Sequence, residues 1–207
     1  MRAWIYDQAI LKLTTRWYAE VLGRLPEGAR LLDVGIGTGG ALAANAALIQ
    51  QRSLKVTGVD IDPDYVAKAT KRMFEAGLDD AVDVRLESIY DHQGGPYDAA
   101  YFSASFMLMP DPAAALRHVA TLLRPGGRIY FTQTFQDKRN KVLEKVKPML
   151  KAATTIEFGR VTYEEDFRAV VQQGGVELIE LMVMDRKGAQ SYRLAVGQPV
   201  MASLAAL

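Results

Sequence analysis

The sequence predicts an α/β three-layer sandwich: a mainly parallel sheet of seven strands, the last of them antiparallel, with helices on both faces. Three observations carry this expectation. Short apolar runs alternate with helical periods along most of the chain, a glycine-rich turn "GIGTGG" at 35–40 follows the first run, and only a tight charged turn separates the last two runs. Alternation of this kind implies parallel strands joined by crossover helices. A parallel return needs a dozen or more residues, so the final pair must be antiparallel.

Each element has its own warrant. Tyr6, Ile10, Leu13, Trp17 and Val21 recur at steps of three and four and predict a helix over 5–22, ended by Gly23 and the "PEG" at 26–28. "ARLLDVG" is a short buried strand, and the glycines after it open a helix drawn from the alanine-rich "ALAANAALIQQ". "LKVTGVD" at 54–60 is a β-branched second strand. The helix "DPDYVAKATKRMFEAG" follows, with Asp62 as N-cap, Pro63 at its first position and Gly77 at its end. "AVDVRLE" and "YDAAYFSAS" are the third and fourth strands, "DPAAALRHVATLL" a helix capped by Asp111, and "GRIYFTQTF" a fifth strand after the turn "RPGG". Beyond residue 161, "VTYEEDFRAVVQQGG" carries a capping box from Thr162 to Glu165, and "VELIELMVM" and "SYRLAV" flank the turn "DRKG".

With 207 residues, 49% of them hydrophobic and 24% charged, the chain suits one domain with a core large enough to stand without staples. It contains no cysteine, which excludes disulfides, thiolate metal sites and cysteine nucleophiles. The net charge of +1, with no long basic stripe, predicts no nucleic-acid partner. Apolar runs are broken well short of a membrane span and "MRAWIYDQAILKLTTRW" lacks the features of a signal peptide, so a soluble cytoplasmic protein with no integral membrane association is expected, as monomer or homodimer.

The turn after the first strand raises the question of a ligand. Gly35, Gly37 and Gly40 satisfy the dinucleotide spacing G-x-G-x-x-G of a Rossmann-like sheet, and Asp60 at the end of the second strand supplies a carboxylate for a ribose diol. NAD, FAD and S-adenosylmethionine all fit that far. Asp33, two residues before Gly35, opposes a pyrophosphate but complements an ammonium, which favours a ligand ending in an amino acid. The structural alternative is that Asp33 only caps the turn and the glycines only tighten it.

"LLDVGIGTGG", "GVDIDPDYVAKA", "YDAAYFSASFMLMPDP" and "ALRHVATLLRPGGRIYFTQTF" together resemble the class I S-adenosylmethionine-dependent methyltransferases of the small-molecule type, over residues 28–135. The resemblance implies that Asp33, Gly35, Gly37 and Gly39 serve the donor's amino acid part, Asp60 its ribose and Ile61 its adenine. It places Glu87 or Ser88 at the adenine amino group, with Ile89 beside them, and Ser103 near the methionine part. An early tyrosine in a "YD" context crosses the donor in many such proteins, which makes Tyr6 the catalytic candidate, although Tyr6 also fits the helix's apolar face. Trp4, Tyr18, Phe106 and Met107 are candidates for acceptor contact, with Met109 as part of the same wall.

Methyl transfer from a sulfonium asks mainly for in-line alignment and exclusion of water, so the absence of a G-x-S-x-G elbow and of H-E-x-x-H is consistent with it. His118 reads as packed in its helix, Asp98 as structural, and His92 as a loop residue remote from the ligand end. Residues 1–27 are expected to cover the single domain of 1–207. The insertion 137–160, rich in lysine and carrying Lys145, is a candidate lid over an anionic or lipid-like acceptor, a solvated helix, or a surface contact. No metal is expected. The competing class is a protein that binds the donor without turnover, and an NAD(P)-dependent oxidoreductase is the more distant alternative.

Overall fold

The computed structural model describes residues 2–137 and 162–200, with side chains from residue 11 onward. Helix α1 spans Arg2–Arg24, two residues or more beyond the predicted helix at either end, and is followed by β1, Arg30–Val34. The alanine-rich run forms two short helices, α2 (Gly40–Ala43) and α3 (Ala46–Gln51), where one was expected. Asn45 explains the break: its side-chain amide donates to the carbonyls of Ala41 at 2.8 Å and of Thr15 in α1 at 3.1 Å. An asparagine that bonds nearby carbonyls competes with the helix ladder.

The chain continues through β2 (Lys55–Asp60), α4 (Pro63–Glu75), β3 (Val82–Leu86), β4 (Tyr97–Ser103), a 3₁₀ turn at Phe106–Leu108, α5 (Pro112–Leu122) and β5 (Leu123–Gln136). Then come α6 (Glu164–Gln173), β6 (Val176–Lys187) and β7 (Gln190–Pro199). The caps at Asp62 and Asp111 form as the sequence indicates, Asp62 accepting from the Asp64 and Tyr65 amides and Asp111 from that of Ala114. The N-cap predicted at Thr162 falls one residue later. Helix α6 has Tyr163 at its N-cap with no side-chain cap bond, because Thr162 is drawn into a bridge with Phe135 and receives the Gln133 amide.

The strand order is β3-β2-β1-β4-β5-β7-β6, and β7 runs antiparallel to both neighbours while the other adjacent pairs are parallel. The predicted architecture is therefore present, the reversed last strand included. β5 begins earlier than expected, since the "RPGG" segment stays on the strand after a shift in register against β4. β6 and β7 likewise run longer than predicted and leave Gly188 and Ala189 between them.

Alternation along each strand sends side chains to opposite faces. Leu32, Phe102 and Phe131 meet Leu116 and Val119 of α5 and Phe167 and Val171 of α6 on one face; Leu31, Val56 and Tyr101 meet Tyr18 and Leu22 of α1, Ile49 of α3 and Met73 of α4 on the other. Phe131 is central to the first face, its ring 4.9 Å from Phe106, 5.4 Å from Phe167 and 5.5 Å from Phe102. Removing it leaves a cavity among aromatic rings, so Phe131→Ala is expected to lower the unfolding free energy by about 3–5 kcal/mol. Denaturant titration checks this; a loss under about 1 kcal/mol would mean that these rings do not pack as a unit.

Candidate functional site

The parallel strands of this sheet all end on one edge, where an open α/β sheet presents its crevice. β1 delivers Asp33 and the glycine turn to that edge, β2 delivers Asp60 and Ile61, β3 leads into Glu87 and Ser88, and β4 ends at Ser103. Residues predicted from separate stretches of sequence are thereby brought to neighbouring strand ends.

The turn needs its glycines for two different reasons. Gly35 has φ +77° and a Cβ there would stand 2.7 Å from the Ser105 Cβ; Ser105 in turn donates its hydroxyl to the Val34 carbonyl. Gly37 has φ +58° with open space around it, so backbone geometry alone makes its choice. Its amide donates to Asp60 Oδ2 at 2.8 Å, and the Asp62 amide donates to Asp60 Oδ1 at 3.0 Å. Asp60 thus ties the turn after β1 to the end of β2 and is already held in place by backbone donors.

Asp33 is fully buried on the α1 side of the sheet. The Tyr18 hydroxyl donates to its Oδ2 at 2.8 Å, while Oδ1 has no hydrogen-bond partner among the described residues. Burial raises its pKa from 3.8 to about 7; the Tyr18 bond works against the rise and the charge of Asp60 adds to it. Burial, and then the adjacent Asp33, hold the Tyr18 phenol well above its ordinary value. Tyr101, whose ring meets that of Tyr18 edge-on at 4.9 Å, shares a 2.7 Å hydrogen bond with Thr132 and is also shifted upward by burial.

Tyr18, expected at the acceptor, is buried and partners Asp33, a role missed from sequence. Its signal was its place three and four residues before Val21 and Leu22, which face the same core. Phe106, also expected at the acceptor, is 1% exposed and packed among Phe102, Phe131 and Phe167, as a core residue is. Met107 and Met109 are partly buried against the same cluster. Ile89 is likewise a core residue beside Val34 and Val59, which leaves its backbone alone for any ligand.

Ile61 and Leu86, by contrast, are 73% and 58% exposed, large apolar side chains left open at the ends of β2 and β3. Glu87 follows, its amide donating to the Asp60 carbonyl at 3.0 Å and its Oε2 lying 2.8 Å from Nδ1 of His92. Ser88 Oγ accepts from the Tyr90 amide at 3.3 Å. His92, expected to lie remote from the ligand end, is thus bonded to a residue that stands there. Asp98 is structural as expected, accepting from the Arg30 amide and pairing with Arg124, and His118 bonds the His92 carbonyl. The side chains of Trp4 and Tyr6, and the insertion with Lys145, lie outside the described residues. Among the described residues no group of His, Asp and Glu could hold a metal, and no helix is long and apolar enough to cross a membrane.

Comparison with known proteins places the chain in a family. A family described as "Methyltransferase domain" matches residues 5–181. The chain is 37% identical over 110 residues to a ubiquinone biosynthesis O-methyltransferase of Xanthomonas axonopodis pv. citri (strain 306), a match covering 52% of this chain and 44% of that protein. It therefore spans less than half the length of that relative. Among solved structures, the [4+2]-cyclase SpnF superposes with a TM-score of 0.70 at 19% identity, covering 93% of this chain and 83% of that one. A geranyl diphosphate methyltransferase in complex with SAM gives 0.69 at 16%, covering 91% and 85%. At such identities the likeness is one of fold.

The buried carboxyl has a consequence for stability. Its pKa in the folded protein, about 7, lies above the ordinary 3.8, so between about pH 4 and 7 the unfolded chain gives up this proton while the folded protein keeps it. Asp33 then contributes stability that is full at low pH and is lost as pH rises through 7. Relative to Asp33→Asn, which has no such titration, the unfolding free energy of the wild type is expected to fall by roughly 3–5 kcal/mol across that window. Denaturant melts at half-unit pH steps measure the difference, and parallel profiles for the two proteins would rule out the buried carboxyl.

Proposed function

Because the chain belongs to the methyltransferase domain family and has the class I fold, we propose that it binds S-adenosylmethionine at the ends of β1–β4 and transfers the methyl group to a small-molecule acceptor. One observation carries the reading: a carboxyl buried beneath a glycine turn, with one oxygen bonded to Tyr18 and the other without a partner. An unpaired buried polar atom is costly, and a cationic group brought near it would offset that cost by favouring the ionised carboxylate. The ammonium of an amino acid has this chemistry. A pyrophosphate has the opposite, and would press Asp33 to keep its proton.

The remaining residues suit the same group. Asp60, oriented by the Gly37 and Asp62 amides, keeps lone pairs on both oxygens for a ribose diol. Ile61 and Leu86 offer exposed apolar surface for a flat heterocycle, and Glu87 an acceptor for an exocyclic amine. When bound, S-adenosylmethionine supplies a methyl group already activated on a sulfonium. The protein's own work is then orientation: the turn and Asp33 fix one end, Asp60 and the β3 loop the other, and in-line attack follows from where an acceptor is held. No side chain is required as a nucleophile.

A second reading is a protein that keeps the donor site but does other work, and it rests on the fold being shared with a [4+2]-cyclase. Two measurements separate the readings. Calorimetry is expected to find saturable binding of S-adenosylmethionine and S-adenosylhomocysteine and none of NAD; binding of NAD alone would overturn the donor assignment. Incubation with methyl-labelled donor and fractionated metabolite extracts is expected to give a labelled small molecule. Donor binding without label in any fraction would favour the second reading.

A further inference from the structure

Behind Glu87, the loop between β3 and β4 holds a buried polar chain through His92 and Tyr97 that the donor reading leaves unused. His92 is completely buried, with Nδ1 2.8 Å from Glu87 Oε2 and Nε2 2.9 Å from the Tyr97 hydroxyl. A carboxylate only accepts, so Nδ1 is assigned the hydrogen, and Nε2 then accepts from Tyr97. Glu87 lies at the other end of this chain, and its side chain is 28% exposed.

Several contacts hold the arrangement in place. The imidazole and the Tyr97 ring lie 5.9 Å apart at 29°, and His118 bonds the His92 carbonyl at 2.8 Å. Gly94 permits the approach, since a Cβ there would stand 2.7 Å from the Tyr97 hydroxyl and 2.8 Å from His92 Nε2. Upstream, the Tyr90 hydroxyl donates to the Asp111 carbonyl at 2.9 Å and accepts from the Asp111 amide at 3.0 Å. The Glu87 amide is fixed to the end of β2. A glutamate with several free torsions is thereby held at both its backbone and its carboxylate.

We propose that His92 is a positioning residue that sets base selectivity: by holding Glu87 Oε2 it leaves Oε1 as a fixed acceptor, at the strand ends that also carry the exposed Ile61 and Leu86, for the exocyclic amine of an aminopurine. The inference rests on the donor reading above and deepens it. Ser88 carries no charge, and its hydroxyl accepts from the Tyr90 amide at 3.3 Å, so it is the weaker acceptor of the two. A preorganised charged acceptor discriminates well, since a ligand carrying a carbonyl in place of the amine would set oxygen against oxygen.

Two substitutions separate the ring nitrogens. In His92→Asn the side-chain amide can reach the place of Nδ1 and still donate to Glu87, whereas in His92→Gln it reaches toward Nε2 and leaves Glu87 unheld. Calorimetry compares S-adenosylhomocysteine with its inosine counterpart, which carries a carbonyl at the same ring position. The wild type is expected to prefer the adenosine ligand by about tenfold or more, the size of one charge-assisted hydrogen bond. His92→Asn is expected to keep most of that preference and His92→Gln to reduce it to about threefold or less. Tyr97→Phe removes only the hydroxyl behind the ring and serves where His92→Gln does not fold; it is expected to cut the preference about threefold. An unchanged preference in folded His92→Gln or in Tyr97→Phe, or an equal loss in the Asn and Gln proteins, overturns the proposal. Failure of the wild type to bind S-adenosylhomocysteine at all would instead count against the donor reading.

Discussion

The site depends on a carboxyl group placed where water does not reach. Asp33 stands on the central strand β1, paired with β2 on one side and β4 on the other, and its side chain faces the helix layer through which α1 passes. Desolvation disfavours its charge, and the Tyr18 hydroxyl meets only one of its two oxygens. A chain selected for stability alone would do better with an apolar residue at this position, as at Leu31 two residues earlier. The destabilising group persists at the turn where a ligand can approach the backbone, which is where local rules are expected to be broken for function.

The rest of the edge is organised around that turn. Gly35 is kept small by Ser105 after β4, Gly37 is tied to β2 through Asp60, and Glu87 is tied to Asp60 through its amide. Four strand ends are therefore linked by contacts that pass through the backbone, and displacement of any one would disturb the others. Tyr18 extends the linkage to α1. The N-terminal helix is thus joined to this edge through Tyr18, a residue in its second half.

Much of this was legible in the sequence because it is carried by local patterns. The alternation of strands and helices, the caps at Asp62 and Asp111 and the antiparallel final pair each follow from a few consecutive residues, and the structure contains all of them. What sequence could not show depends on side chains distant along the chain. Asn45 breaks the alanine-rich helix for a carbonyl of α1, Thr162 bridges to Phe135 and leaves the N-cap to Tyr163, and Phe106 sinks among rings from β4, β5 and α6. The pairing of His92 with Glu87 left no periodic signal, because the two stand five residues apart in a loop. Tyr18 was singled out but given the wrong partner, since a helix pattern indicates which face is buried and not which polar atom lies beneath it.

The central claim is that an ammonium-bearing ligand restores the charge of Asp33. Calorimetric titration of S-adenosylhomocysteine in buffers of different ionisation enthalpy counts the protons exchanged on binding. A carboxyl with a pKa near 7 is about half protonated at neutral pH, so release of roughly half a proton is expected at pH 7, diminishing as pH rises and absent in Asp33→Asn. Saturable binding with no proton release, or the same release from Asp33→Asn, would contradict the account.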